Sequence, residues 1–157
     1  MVVTVLAAGR LSSRAIREAC DDYARRLQPG LRLVVREVRT GPARASPAER
    51  RRIESDRLLA AVPRRAHLVA LSRTGRAETS DGLARRLAGW RLAAGDVAFL
   101  IGGAYGLSAT ALSRCDECLS LSSLTLPHGL ARLVLLEQLY RAASILQGTP
   151  YHKGGES

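Results

Sequence analysis

The sequence predicts an α/β protein in which a parallel β-sheet is flanked by helices. Short apolar runs rich in Val, Leu and Ile alternate with longer segments of helical character, as parallel strands and their crossover helices require. Two runs, 68–71 and 97–101, are apolar at every position, so we expect them in the centre of the sheet, covered on both faces. The length of 157 residues fits a single domain, 1–157.

The first half of the chain contains two strand–helix units. A β-branched run at 2–8 predicts the first strand, and Ser12 or Ser13 can cap the helix that follows. Leu and Val mix with Arg over 31–38, which predicts a second strand. A helix at 46–62 starts with a serine N-cap, a proline at the first helical position and a glutamate at the third.

The second half continues the alternation and ends in a long helix. Strands are expected at 67–72, 97–101 and 119–126, and helices at 80–92, 108–114 and 129–147. The last helix is apolar around most of its circumference and must therefore be buried on two sides. Its second side is expected to face a second copy of the chain, and the alternative is a central core helix of one chain.

The charge of the chain is strongly positive and unevenly distributed. The formal net charge is +10, and residues 1–65 hold 15 arginines and seven acidic residues. Such a basic half would attract a polyanion such as nucleic acid, although a solvated basic face is the alternative. No apolar run approaches the ~18 residues of a membrane span, and no signal peptide is apparent, so we expect a cytoplasmic protein without a membrane partner.

The three cysteines predict neither a disulfide framework nor a metal site. Their odd number and the expected cytoplasmic location argue against structural disulfides. Cys115 and Cys118 have the spacing of a C-x-x-C motif, but the sequence provides no second pair of ligands at metal spacing. We therefore expect no metal.

Candidate site residues follow three of the predicted strands, where ligands bind in parallel α/β sheets. They are Leu71-Ser72, the glycine pair Gly102-Gly103, and the run from Leu121 to His128. The glycines lack the order of a dinucleotide-binding loop, and no P-loop sequence occurs, so a tight turn is an alternative reading of them. Pro127 ends the last of these strands and would leave backbone amides and carbonyls free to contact an adenine.

Two histidines and their neighbours are candidates for chemistry. His128 follows Pro127 at the start of the last helix, and its titration near neutral pH suits proton transfer, although a structural histidine is the alternative. Near the end of the chain, Tyr151 can stack on a base, His152 can take a proton and Lys153 can contact a phosphate. The alternative for this tail is a frayed terminus.

Three stretches closely resemble one known family. They read FLIGGAYGLS (99–108), LSLSSLTLPHGLARLVLLEQLYRAASI (119–145) and PYHK (150–153). On these residues the chain resembles the ribosomal RNA large subunit methyltransferase H family, small members of the SPOUT superfamily. The resemblance covers the whole chain and is strongest from residue 97 onward.

The resemblance implies an enzyme that uses S-adenosyl-L-methionine to methylate N3 of a pseudouridine in helix 69 of 23S rRNA within the ribosome. It also implies a parallel-sheet SPOUT fold with a C-terminal trefoil knot, acting as a homodimer. The implied catalytic residues are His128, Tyr151, His152 and Lys153. The implied cofactor-binding residues are Leu71, Gly102, Gly103, Leu121, Ser122, Ser123, Leu124, Thr125, Leu126 and Pro127.

Two departures from the family pattern and two rival functions accompany this resemblance. Gly129 stands where family members commonly have proline. Lys153 stands where some members have arginine, and a lysine cannot make the bidentate phosphate contact that an arginine makes. One rival is a SPOUT methyltransferase with another RNA target, such as a tRNA. The other is a non-catalytic protein that binds the ribosome through its basic half.

Overall fold

A five-stranded parallel sheet forms the centre of the protein in this computed structural model, which describes residues 1–28, 30–93 and 95–155, with side chains up to His152. The strand order is β2-β1-β4-β3-β5, and every pair of neighbouring strands is parallel. The predicted parallel α/β fold is therefore confirmed. The strands are β1 (Val2–Ala8), β2 (Arg32–Val38), β3 (His67–Ala77), β4 (Val97–Ile101) and β5 (Glu117–Ser120).

Helices cover both faces of the sheet. They are α1 (Arg14–Leu27), α2 (Pro47–Ala60), α3 (Ser80–Ala93), α4 (Ala109–Ser113), α5 (His128–Gln147) and a 3-10 helix (Pro150–Gly155). Alternate β4 residues face opposite layers: Phe99 packs in the core with α1, α3 and α5, whereas Leu100 packs with α2. All five β4 residues are buried, as their apolar run predicts.

The helix starts follow from local sequence. The Ser13 hydroxyl accepts a hydrogen bond from the amide of Ile16 and so caps α1. At the start of α2, Ser46 and Glu49 form the expected capping box, with Pro47 at the first helical position. These contacts satisfy amides that have no partner within the helix.

The fifth strand is shorter than the sequence predicts. We expected it at 119–126, but β5 ends at Ser120 and 121–127 forms an irregular loop. The serines explain the early end, because they bond to nearby backbone. Ser120 Oγ donates to the carbonyl of Ser122 at 2.9 Å, and Ser122 Oγ accepts from the amide of Leu124 at 2.9 Å.

The third strand is longer than predicted and changes register. β3 was expected to end near residue 72 but continues to Ala77. Leu119 of β5 pairs with Leu71 before the irregularity and with Arg76 after it. Gly75 lies against the backbone of Leu119, where a Cβ would come within 2.6 Å of the carbonyl carbon. The backbones of β3 and β5 are therefore in contact at Gly75 and Leu119, just before the chain enters the loop 121–127.

Helix α5 is buried on two sides within one chain. It packs against both α1 and α3, and its residues Leu135, Leu136 and Leu139 are almost completely buried. The core-helix alternative therefore accounts for most of its apolar surface. A shorter stripe on the remaining side stays partly exposed and contains Leu130 and Val134. Throughout the parts of the chain that the structure describes, no helix has the length and apolar character needed to cross a membrane.

Candidate active site

A cavity of about 270 Å³ opens at the carboxyl ends of β3, β4 and β5. All three predicted segments contribute to it, because the ends of neighbouring parallel strands meet at one edge. The predicted residues that line the cavity are Leu71, Gly102, Gly103, Leu121, Ser122, Leu124, Thr125, Leu126 and His128. Ser123 and Pro127 belong to the same loop but do not line the cavity, and both are exposed.

Several lining residues were not predicted. Arg73 follows the predicted end of the third strand and is exposed at the cavity, and Leu107 follows the glycine-rich turn. Ala131 lies three residues after His128 on α5, so both face the same side of the helix. The helical spacing could have identified Ala131. Arg73 carries no signal of its own beyond its position after an apolar run.

The glycine-rich turn forms one wall of the cavity. The amide of Gly106 donates to the carbonyl of Gly103 at 3.1 Å. Gly106 has a φ of 73°, a backbone conformation that residues with a side chain rarely adopt. A Cβ on Gly102 would lie 2.5 Å from the carbonyl carbon of Gly106. The glycines are therefore required by the turn itself, as the alternative reading of this cluster proposed.

The loop 121–127 forms the opposite wall and presents both apolar side chains and backbone. Leu124 is 73% exposed although it lines the cavity. Among the amides of 122–126, only that of Leu124 has a hydrogen-bond partner within the described residues. The other amides of 122–126 have no hydrogen-bond partner among the described residues, because the chain leaves the sheet at Ser120 and not at Pro127 as the sequence predicts.

His128 is the titratable side chain that the sequence and the cavity have in common. It is the first residue of α5, directly after the N-cap Pro127, and it is half-buried. No hydrogen bond connects its imidazole to another of the described residues. The ring therefore lines the cavity without a hydrogen-bond partner among the described residues.

The tail packs on the protein surface away from the cavity of its own chain. Tyr151 Oη lies 3.2 Å from Tyr23 Oη and donates to Glu137 Oε1 at 3.2 Å. Its ring packs against that of Tyr140, with centroids 4.6 Å apart, and under the guanidinium of Arg141. Burial raises the pKa of the Tyr151 hydroxyl, and Tyr23 and Glu137 add to the shift. The alternative of a frayed terminus is therefore wrong for Tyr151.

The other two tail residues are less firmly placed. His152 Nε2 lies 3.7 Å from Asp81 Oδ1, and its Nδ1 is buried without a hydrogen-bond partner among the described residues. The side chain of Lys153 lies outside the described residues. Within one chain, neither Tyr151 nor His152 lines the cavity with His128.

Neither cysteine of the C-x-x-C motif lines the cavity. Burial, with smaller contributions from Cys118 and Asp116, raises the pKa of the Cys115 thiol to about 11. Burial also raises the pKa of Cys118. Among the residues that the structure describes, no group of three or more potential metal ligands occurs.

Comparisons with known proteins bear on the identity of this chain. The model of the family described as "Predicted SPOUT methyltransferase" matches residues 1–152. A protein of Gluconacetobacter diazotrophicus named "Ribosomal RNA large subunit methyltransferase H" is 47% identical over 151 residues, which cover 96% of this chain and 97% of that protein. A protein of the same name from Chromobacterium violaceum is 43% identical over 155 residues, covering 98% and 99%.

Two solved structures support the fold. A probable methylase family protein from Haemophilus influenzae matches with a TM-score of 0.56 at 15% identity, covering 95% of this chain and 69% of that one. A probable methyltransferase from Bordetella pertussis matches with a TM-score of 0.54 at 16% identity, covering 90% and 95%. The sequence relatives and the family match together show that this chain is a methyltransferase and belongs to the ribosomal RNA large subunit methyltransferase H family of SPOUT proteins.

Proposed function

We propose that this enzyme transfers a methyl group from S-adenosyl-L-methionine to N3 of a pseudouridine in helix 69 of 23S rRNA, on assembled ribosomes in the cytoplasm. The observation that carries the proposal is the convergence of three strand-end segments and His128 on one cavity. The names of the relatives, which are ribosomal RNA methyltransferases, support the substrate class.

The cavity offers backbone and apolar contacts of the kind that the cofactor needs. Its volume of about 270 Å³ lies just below the range of roughly 300–1,000 Å³ for small-molecule sites. The free amides of the loop 121–127 can recognise an adenine edge, while Leu121 and Leu126 provide apolar contacts. Leu71 and Gly103 on the opposite strands would complete the binding site.

The reaction requires that N3, the methyl carbon and the sulfur are aligned and that the N3 proton is removed. S-adenosyl-L-methionine supplies a methyl group already activated by its sulfonium. The N3–H bond of the base breaks, a bond from N3 to the methyl carbon forms, and the sulfur leaves as a neutral thioether. His128 lines the cavity. In this proposal it accepts the N3 proton or stabilises the resulting anion, and the cavity walls align the reacting atoms.

A homodimer explains why the tail is remote from the cavity of its own chain. Leu130 and Val134 form a partly exposed apolar stripe in the first turns of α5, next to His128. If a second copy packs on this stripe, its tail can approach the cavity. Tyr151, His152 and Lys153 would then contribute a stacking face, a proton acceptor and a phosphate contact to the partner's site.

Mass spectrometry of 23S rRNA from a strain that lacks the gene tests the proposal directly. We expect loss of one methyl group from helix 69 and its restoration when purified protein and S-adenosyl-L-methionine are added to ribosomes. Methylation of tRNA but not of ribosomes would favour the first rival function. Calorimetry without cofactor binding, combined with ribosome binding, would favour the non-catalytic rival.

A further inference from the structure

An exposed tyrosine, Tyr105, lies in the glycine-rich turn that forms one wall of the cavity, although it does not itself line the cavity. Tyr105 is 42% exposed and is the one aromatic residue among the exposed large apolar side chains of the described chain. It sits in the turn that Gly103 and Gly106 close, and three of the residues around it, Gly103, Ala104 and Gly106, line the cavity. The ring belongs to neither hydrophobic core cluster, so its exposure beside the cavity wall needs another explanation.

An arginine with no acidic partner accompanies the tyrosine. The guanidinium carbon of Arg50 lies 5.4 Å from the centre of the Tyr105 ring, within cation–π distance. Of the acids nearest in sequence, Glu49 caps Ser46, and Glu54 accepts from the amide of Gly41 through one of its two carboxylate oxygens. No ion pair among the described residues includes Arg50, and its Nε is buried without a partner. Among the described residues, Arg50 is therefore a cation without an ion-pair partner.

The pair is held in place by its surroundings. Arg50 lies in the first turn of α2, which the capping box fixes. Gly41 packs directly on it, since a Cβ there would lie 3.0 Å from the Arg50 Cα. Tyr105 is held by the turn of glycines that forms the cavity wall. A rigid aromatic face with an adjacent cation loses little entropy when it binds a ligand.

We propose that Tyr105 and Arg50 form a platform for the RNA substrate: the ring stacks on a base that adjoins the methylated nucleotide, and the guanidinium contacts a phosphate. This inference rests on the proposed function, because it concerns the partner of the same site. The positive charge of the chain favours RNA over a protein partner: Arg73 lines the cavity, and residues 1–65 hold 15 arginines and seven acidic residues. Stacking tolerates any base, so the platform would supply affinity and position.

Ribosome binding by purified full-length variants, measured without cofactor, tests the platform. We expect Tyr105→Leu to weaken the Kd for ribosomes about 5- to 100-fold, as loss of one base–aromatic stack does. Tyr105→Phe keeps the ring and should bind as the wild type does. Arg50→Gln should reduce the slope of log Kd against log salt concentration by about one, which is the change expected when one phosphate contact is lost. The matched control is Arg52→Gln, because Arg52 lies on the same helix but is paired with Asp56 at 3.3 Å.

Each outcome separates the platform from the proposed function. If Tyr105→Leu binds ribosomes like the wild type, or if Tyr105→Phe is as weak as Tyr105→Leu, the platform is wrong. The platform is also wrong if Tyr105→Leu changes only the affinity for S-adenosyl-L-methionine, measured by calorimetry. If the wild type binds ribosomes but methylates none of their RNA, the proposed function fails, and the Kd values still decide the platform.

Discussion

The carboxylate of Glu54 lies directly behind Gly103, on the side where any other residue would carry its Cβ. Glu54 is 1% exposed; its Oε1 accepts from the amide of Gly41 at 2.9 Å, and its Oε2 is buried without a hydrogen-bond partner among the described residues. The glutamate thus connects the loop at Gly41 with the glycine-rich wall of the cavity. A side chain at Gly103 would displace this buried carboxylate.

Gly103→Ala should therefore destabilise the protein by about 1–3 kcal/mol and weaken cofactor binding, because the wall must shift. Urea unfolding and calorimetry with S-adenosyl-L-methionine measure the two effects. Gly89→Ala is the matched control, since a Cβ at this position in α3 meets nothing within 4 Å. The control should be stabilised by up to about 1 kcal/mol. Wild-type stability and affinity in Gly103→Ala would contradict the prediction.

Arg132 is a buried cation whose replacement should be strongly destabilising. It is 2% exposed and donates to Glu37 Oε1 at 2.5 Å and to the carbonyl of Gly9 at 2.9 Å. Arg132→Met should lower the free energy of unfolding by about 1–3 kcal/mol, because the Gly9 carbonyl and the partly exposed Glu37 carboxylate lose their donor. Arg52→Met removes an exposed pair and should change it by less than about 1 kcal/mol. Equal effects of the two variants in urea unfolding would refute the assignment.

Tyr151 should contribute to stability as well as to the proposed reaction. Tyr151→Phe removes the hydroxyl contacts with Tyr23 and Glu137 and should cost about 1 kcal/mol. Tyr151→Ala also removes the ring from Tyr140 and should cost about 2 kcal/mol, less than for a fully buried aromatic residue. Thermal unfolding measures both. An unchanged melting temperature in Tyr151→Ala would show that the tail does not pack as described.

The stripe on α5 provides a test of the dimer that spares the fold. Val134→Glu would place a charge on the half-exposed side of the helix and should convert a dimer to a folded monomer in sedimentation velocity. Leu136→Glu is not a clean test, because Leu136 is 1% exposed within its own chain and the variant should unfold. A stable wild-type monomer at micromolar concentration would refute the homodimer.

The cysteine thiols should be slow to react in the folded protein. Because burial raises the pKa of Cys115 to about 11, this group stays protonated at pH 8, and its thiolate forms only as the pH approaches 11. Burial raises the pKa of Cys20 as well. Alkylation by iodoacetamide, mapped by mass spectrometry, should be slow at pH 8 and rapid in urea at the same pH. Rapid labelling of folded Cys115 at pH 8 would contradict the shift.

The sequence by itself determined the features that depend on local chemistry. The order of strands and helices follows from apolar runs, and the start of α2 follows from the capping box of Ser46 and Glu49. The position of the cavity also follows, since the carboxyl ends of neighbouring parallel strands meet at one edge of the sheet. To place the cavity in this way, one needs to know only which segments of the sequence are parallel strands.

Only the tertiary structure decided which distant residues meet. In the sequence, Arg132 is a charged residue within an otherwise apolar helix. The packing of α5 brings it into contact with Glu37, 95 residues earlier in the chain. Arg50 and Tyr105 lie on different elements, and their contact depends on how α2 packs beside the glycine-rich turn. Side-chain periodicity reports which face of an element is buried, but not which element covers it. For that physical reason, the sequence alone does not predict these pairs.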